Sequence, residues 1–152
     1  MLVGHGTRDD LGTRQFFELG GQLADALSPT PVQACLLEFQ QPTIPQAWAE
    51  LVSSGAKHIH VAPLLLFAAG HAKNDIPSVL NTYQASHAGL TIEYGRELGI
   101  DPKMIRAAGD RVGEALDAAG GDIPLHETLL VVVGRGASDP DANSNVAKIT
   151  RM

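Results

Sequence analysis

Ile59-His60-Val61-Ala62-Pro63-Leu64-Leu65-Leu66-Phe67-Ala68-Ala69-Gly70-His71 is the stretch on which the fold turns. From Ile59 to Phe67 it is a nearly continuous apolar run, the pattern of a central strand covered on both faces. Gly70-His71 then reads as a loop. A helix follows from about Ile76 to Ser86, with Asp75 as its cap and Pro77 in its first turn.

The same alternation extends in both directions. Met1-Leu2-Val3 is a short strand ending in the turn Gly4-His5-Gly6. Phe16, Leu19, Leu23 and Leu27 recur at helical spacing and predict a helix from about Thr13 to Leu27. Ser28-Pro29-Thr30-Pro31 breaks it. Val32 to Leu37 reads as a second strand. Thr43 looks like the N-cap of a further helix, with Pro45 in the first turn and Gly55 beyond the end. Leu90 to Tyr94 is a fourth strand, Pro102 to Ala119 a helix, and Leu129 to Val133 another strand. Strands alternating with helices imply a parallel sheet with helices on both faces, of α/β class. Ligands in such sheets bind beyond the carboxyl ends of the strands. His5, Glu38 and His71 each fall at or just after such an end, so the pattern predicts that they share one rim.

A repeat is visible. Val3-Gly4-His5-Gly6-Thr7-Arg8-Asp9 resembles Val133-Gly134-Arg135-Gly136-Ala137-Ser138-Asp139, each after an apolar run and before a helix. The expectation is one domain over 1–125 and, over 126–152, the truncated beginning of a second, duplicated one. Generic strand–Gly-x-Gly–helix similarity is the plainer alternative.

Composition narrows the function classes. The chain has 152 residues, 44% hydrophobic and 18% charged, with a net charge of −6. That balance fits a folded domain and argues against general nucleic-acid binding, which needs a basic face. It also supplies no long-range pull on a polyanionic ligand, which would need a local cationic pocket. The single cysteine, Cys35, excludes an internal disulfide and suits a reducing, cytoplasmic setting. Val61 to Ala69 is too short to span a bilayer.

Neutral imidazole is the commonest protein metal ligand and accepts protons near neutral pH. Two imidazoles and a carboxylate with open positions suit Fe²⁺, Co²⁺ or Ni²⁺. Taken singly, His5 and His71 could be polar turn residues and Glu38 a solvated charge; together they are a candidate metal site. His58 and His60 alternate on the third strand but sit near its start, at the wrong end. His87 and His126 read as solvated loop residues, Cys35 as core, and Trp48 as helix-to-sheet packing. Lys73, Arg8 and Arg96 are exposed cations, which usually hold nothing specific.

At this point a resemblance is evident. The His5 tract, Leu37-Glu38-Phe39-Gln40-Gln41-Pro42, the leucine run through Gly70-His71, and Asp75-Ile76-Pro77 follow one another as in the sirohydrochlorin chelatases, the cobaltochelatase and ferrochelatase group of class II chelatases. The resemblance runs from Met1 to about Gly99 and resumes at Leu129. It implies a flavodoxin-like three-layer αβα fold with a four-stranded parallel sheet, plus one strand from the truncated repeat. It implies insertion of a divalent metal, as substrate and without an organic cofactor, into sirohydrochlorin. The family's active-site histidines fall on His5 and His71 and its acidic residue on Glu38. Lys73 and Arg8 become candidates for the macrocycle's carboxylates. In the second copy Arg135 stands where the histidine would be. A histidine phosphatase, a non-enzymatic metal or tetrapyrrole carrier, and a homodimer assembled from this chain are the competing readings. The first wants arginine where Gly4 stands.

Overall fold

The computed structural model describes residues 1–120 and 124–152; residues 121–123, inside the first expected domain, lie outside the description. Two compact units are present, Met1–Glu97 and Leu98–Met152.

In the first unit β1 (Leu2–Gly4), β2 (Ala34–Leu36), β3 (His58–Leu64) and β4 (Thr91–Tyr94) form a sheet ordered β2-β1-β3-β4. Every pairing is parallel, with Gly4 opposite both Leu36 and Leu64. Helices α1 (Asp10–Ala26), α2 (Ile44–Ser53) and α3 (Ile76–Ser86) connect the strands. Asp9 caps α1 by accepting from Gly12 N–H, and Thr43 and Gln46 form the capping box of α2. These are the short polar residues that satisfy the free donors of a first turn.

The strand order fixes the layers. From β1 the chain moves outward one way, and from β3 it moves outward the other way. Right-handed crossovers therefore put α1 on one face and α2 and α3 on the opposite face. The core agrees: Ile59 and Val61 of β3 pack with Ile44, Trp48 and Leu51 of α2 and Ile76 and Leu80 of α3. Trp48 stacks on Tyr83 at 4.6 Å between ring centroids and meets His87 edge-on. Trp48 thus joins two helices as well as facing the sheet. His87, expected as a solvated loop residue, is half-buried, with Nδ1 near the Tyr83 carbonyl. On the α1 face, Gly20 lies against Ala34 and Gly4 against Phe16.

Two expectations for the strands are corrected. β3 is not covered on both faces: Ile59, Val61 and Pro63 are buried, while His58, His60 and Ala62 are exposed. Its α1-side face at this point has no helix of the first unit over it, because α1 packs on β1 and β2. The strand also ends at Leu64 rather than Phe67. Its neighbour β1 ends at Gly4, and beyond Gly4–Leu64 there is no ladder partner.

In the second unit α4 (Pro102–Ala118) has no buried residue, and α5 (Pro140–Thr150) is capped by Asp139. The predicted strand at Leu129–Val133 does not form: all five residues are exposed and none lies in a sheet. A β-strand is stabilised by cross-strand pairs, and apolar composition alone supplies none. The sheet has the four parallel strands expected of it, and only the extra strand from the repeat is missing among the described residues. The repeated tract still builds its turn and helix: Asn143 bonds Ala137 through both its amide oxygen and nitrogen, and Gly136 has a φ of 80°. Among the described residues no helix is long and apolar enough to cross a membrane.

Candidate metal centre

β1 and β3 are neighbours whose crossovers leave to opposite faces, so the crevice beyond their carboxyl ends is the topological switch point of the sheet. His5 directly follows β1, and His71 follows the loop that leaves β3. Pairing continues past the end of the β1–β2 ladder: Leu37 N–H donates to the Gly4 carbonyl and Glu38 N–H to the His5 carbonyl, at 2.9 and 3.0 Å. These bonds carry Glu38 to the same rim. The two glycines around His5 do different work. Gly6 has a φ of 93°, and a Cβ there would lie 2.1 Å from the Glu38 carbonyl oxygen. Only glycine lets the two loops approach this closely. A Cβ on Gly4 would lie 2.5 Å from the Phe16 ring, so Gly4 is there for helix packing.

His71 does not sit in a loop. It opens a π-helical turn, His71–Asp75, that runs into α3. Such turns are rare and concentrate at functional sites. Gly70 is right-handed helical and supplies no special freedom. Asp75 was expected to cap α3; its backbone is helical and its side chain makes no cap bond. Instead its Oδ2 lies 2.7 Å from His71 Nδ1. The Tyr94 hydroxyl, at the end of β4, donates to the Ala72 carbonyl at 2.9 Å and pins the turn to the sheet. Burial, then the charge of Glu97, raises the Tyr94 phenol above its ordinary value, so it remains a donor at neutral pH.

The three predicted ligands converge. The His5 and His71 rings lie 4.9 Å apart at 76°, and one ligand atom from each of His5, Glu38 and His71 falls within 4.8 Å of the others. Ligand bonds of about 2.0–2.2 Å put donor atoms around one ion about 3–4 Å apart. Side-chain adjustments of about an ångström therefore suffice to close the set. Among the described residues no other trio of His, Cys, Asp or Glu is this close. His5 Nδ1 faces the Gly6 carbonyl at 3.1 Å and His71 Nδ1 faces Asp75. With the proton on Nδ1 in both rings, each Nε2 keeps its lone pair for a metal.

Arg8 and Lys73 are exposed, Arg8 three residues from His5 and Lys73 two residues from His71 in sequence. The Arg8 guanidinium stands over the Phe39 ring at 5.0 Å. His58 and His60 lie at the amino end of β3, where His60 meets Glu93 at 3.0 Å. They take no part in the trio. Sequence reasoning passed over Tyr94 and Phe39 and gave Asp75 another task. The one signal for Asp75 was its spacing of four residues from His71 on a helical turn, which brings side chains together.

The unit is thus a parallel α/β fold of flavodoxin-like strand order that brings two imidazoles and a carboxylate together at its switch point. Comparison with known families narrows this. The CbiX family model matches residues 1–115, and the chain belongs to that family. Over its whole length it is 34% identical to a sirohydrochlorin cobaltochelatase of Priestia megaterium and 32% to a sirohydrochlorin ferrochelatase of Bacillus subtilis. It covers 49% and 56% of those proteins, about half the length of the curated relatives it matches. Among solved structures it is similar to SirB from Bacillus subtilis with Fe³⁺, at a TM-score of 0.79 and 32% identity, covering 99% of this chain and 58% of SirB. SirB from Bacillus subtilis subspecies spizizenii in complex with cobalt matches at 0.76, with the same identity and coverage.

Proposed function

We propose that this chain takes part in inserting a divalent metal ion into sirohydrochlorin, with His5, Glu38 and His71 as the residues that hand over the metal. The observation that carries this reading is the convergence of three ligand atoms within 4.8 Å at the switch point. The named relatives support the substrate, and the solved relatives with iron and cobalt support the cargo.

The metal is a substrate here, so the site has to release it. Two neutral imidazoles and one exposed carboxylate bind an ion yet leave positions open for pyrrole nitrogens. Two pyrrole protons leave as the metal enters. Glu38, exposed beside the histidines, or an imidazole freed of metal accepts them. Arg8 and Lys73 offer positive charge to the macrocycle's carboxylates at the same rim, which a chain of net charge −6 does not supply at long range. Iron, cobalt and nickel all suit the ligand set.

The experiment is cobalt insertion into sirohydrochlorin followed by absorbance, with His5→Ala and His71→Ala. Each variant should lose insertion by about two to four orders of magnitude, the range for removing a group central to proton or charge handling. Unchanged insertion by both sinks the proposal. Formation of one metallated product per protein, with no turnover, would favour a metal or tetrapyrrole carrier instead.

A further inference from the structure

Among the described residues Phe39 is the one residue other than glycine with a left-handed backbone, at a φ of 69°. Gln40 N–H donates to the Glu38 carbonyl across it at 2.9 Å. A hydrogen bond spanning a single residue of positive φ makes a γ-turn of the strained kind, which is rare. Glycine adopts that conformation freely and phenylalanine does not. The strain does not serve burial either, since Phe39 is 52% exposed. Strain of this sort persists where the surroundings over-determine it, and it clusters at ligand sites.

The strained turn places the ring. Its centroid lies 6.4 Å from that of His5, tilted by 33°, and Arg8 stands over it at 5.0 Å. Attraction between the guanidinium and the ring quadrupole holds both side chains at one lip of the metal centre. The ring has no ligand atom, so it does not itself bind a metal.

Resting on the chelatase reading above, we infer that Phe39, braced by Arg8, is the platform on which the tetrapyrrole is positioned. A conjugated macrocycle packs offset on an aromatic ring. A guanidinium can stack through its plane and still direct N–H groups at a carboxylate, which an ammonium cannot do. One short segment thus offers a flat apolar contact and a carboxylate contact side by side, the two features of a planar ligand with an acidic periphery.

The test uses the full chain, with metal-free sirohydrochlorin and Co²⁺ presented separately. Phe39→Gly removes the ring and relieves the backbone, while Phe39→Tyr keeps the ring. Phe39→Gly should melt no lower than the unaltered chain, because glycine fits the turn. It should bind Co²⁺ alone within about twofold of the unaltered chain and lose about tenfold in affinity for the macrocycle. Phe39→Tyr should restore macrocycle binding. If Phe39→Gly binds the macrocycle as tightly as the unaltered chain does, the platform is wrong while the chelatase reading stands. If it weakens Co²⁺ alone as much as the macrocycle, Phe39 serves the fold of the metal loop and the platform is again wrong. If the unaltered chain takes up Co²⁺ but no macrocycle, both readings fall.

Discussion

Asp75 offers the sharpest single perturbation of the candidate metal centre. Its carboxylate lies 2.7 Å from His71 Nδ1, and its side chain is 56% exposed. A hydrogen bond to a charged group is worth about 1.5–3 kcal/mol and a neutral one about 0.5–1.5 kcal/mol. Asp75→Asn keeps an acceptor oxygen but removes the charge, so the ring should lose about 1–1.5 kcal/mol of orientation and basicity. That corresponds to about tenfold in metal affinity. Asp75→Ala leaves Nδ1 to water and should approach the hundredfold end of the range for partners behind metal-ligating histidines. Because the side chain is largely solvent-exposed, neither change should move global stability by more than about 0.5 kcal/mol. Titration with Co²⁺, followed through its visible absorption, measures the affinity, and urea unfolding measures the stability. Equal Co²⁺ affinity in all three proteins would refute the argument. So would an affinity loss matched by an equal loss of stability.

Gly6→Ala should lower stability by at least about 2 kcal/mol and weaken Co²⁺ binding, because a side chain would have to displace the Glu38 carbonyl from a backbone of positive φ; thermal melting and Co²⁺ titration check both parts. Cys35 is fully buried, and burial pushes its thiol up to about 12 from an ordinary 9.0, while the positive terminal amine works the other way. The unfolded thiol loses its proton first, so the thiol's contribution is intact below pH 9.0 and is lost as pH rises towards 12. Stability should fall in that window by up to about 1.4 kcal/mol per pH unit from this thiol alone, seen as an alkaline slope in urea unfolding that is shallower in Cys35→Ala, where the phenols of Tyr83 and Tyr94, likewise raised by burial, still contribute.

Most of the architecture could be derived from residue patterns. Strand–helix alternation gave the parallel sheet, and Thr43, Pro45 and Pro77 marked helix starts that the structure keeps. The rim of His5, Glu38 and His71 followed from one rule about strand ends and needed no distances. What failed was whatever depends on neighbours. Leu129–Val133 is as strand-like as β3 in composition, yet a strand exists only where another chain segment offers its carbonyls and amides. The apolar run of β3 said that it was buried but not on how many faces. Asp75 before Ile76-Pro77 carries the signature of a cap, and the π-helical turn that redirects it to His71 has no local signature. Phe39 was invisible for a similar reason, since nothing in Glu38-Phe39-Gln40 announces a positive φ.

The stack of Trp48 on Tyr83 gives the protein a built-in optical gauge. The chain has a single tryptophan, and it lies in the Met1–Glu97 unit, buried between α2 and α3. Its emission should therefore be short-wavelength in the native protein and shift to the red when that unit opens. Circular dichroism at helical wavelengths sums both units. Following the two signals through one denaturation separates the unit that carries the candidate metal centre from the rest, with no label attached.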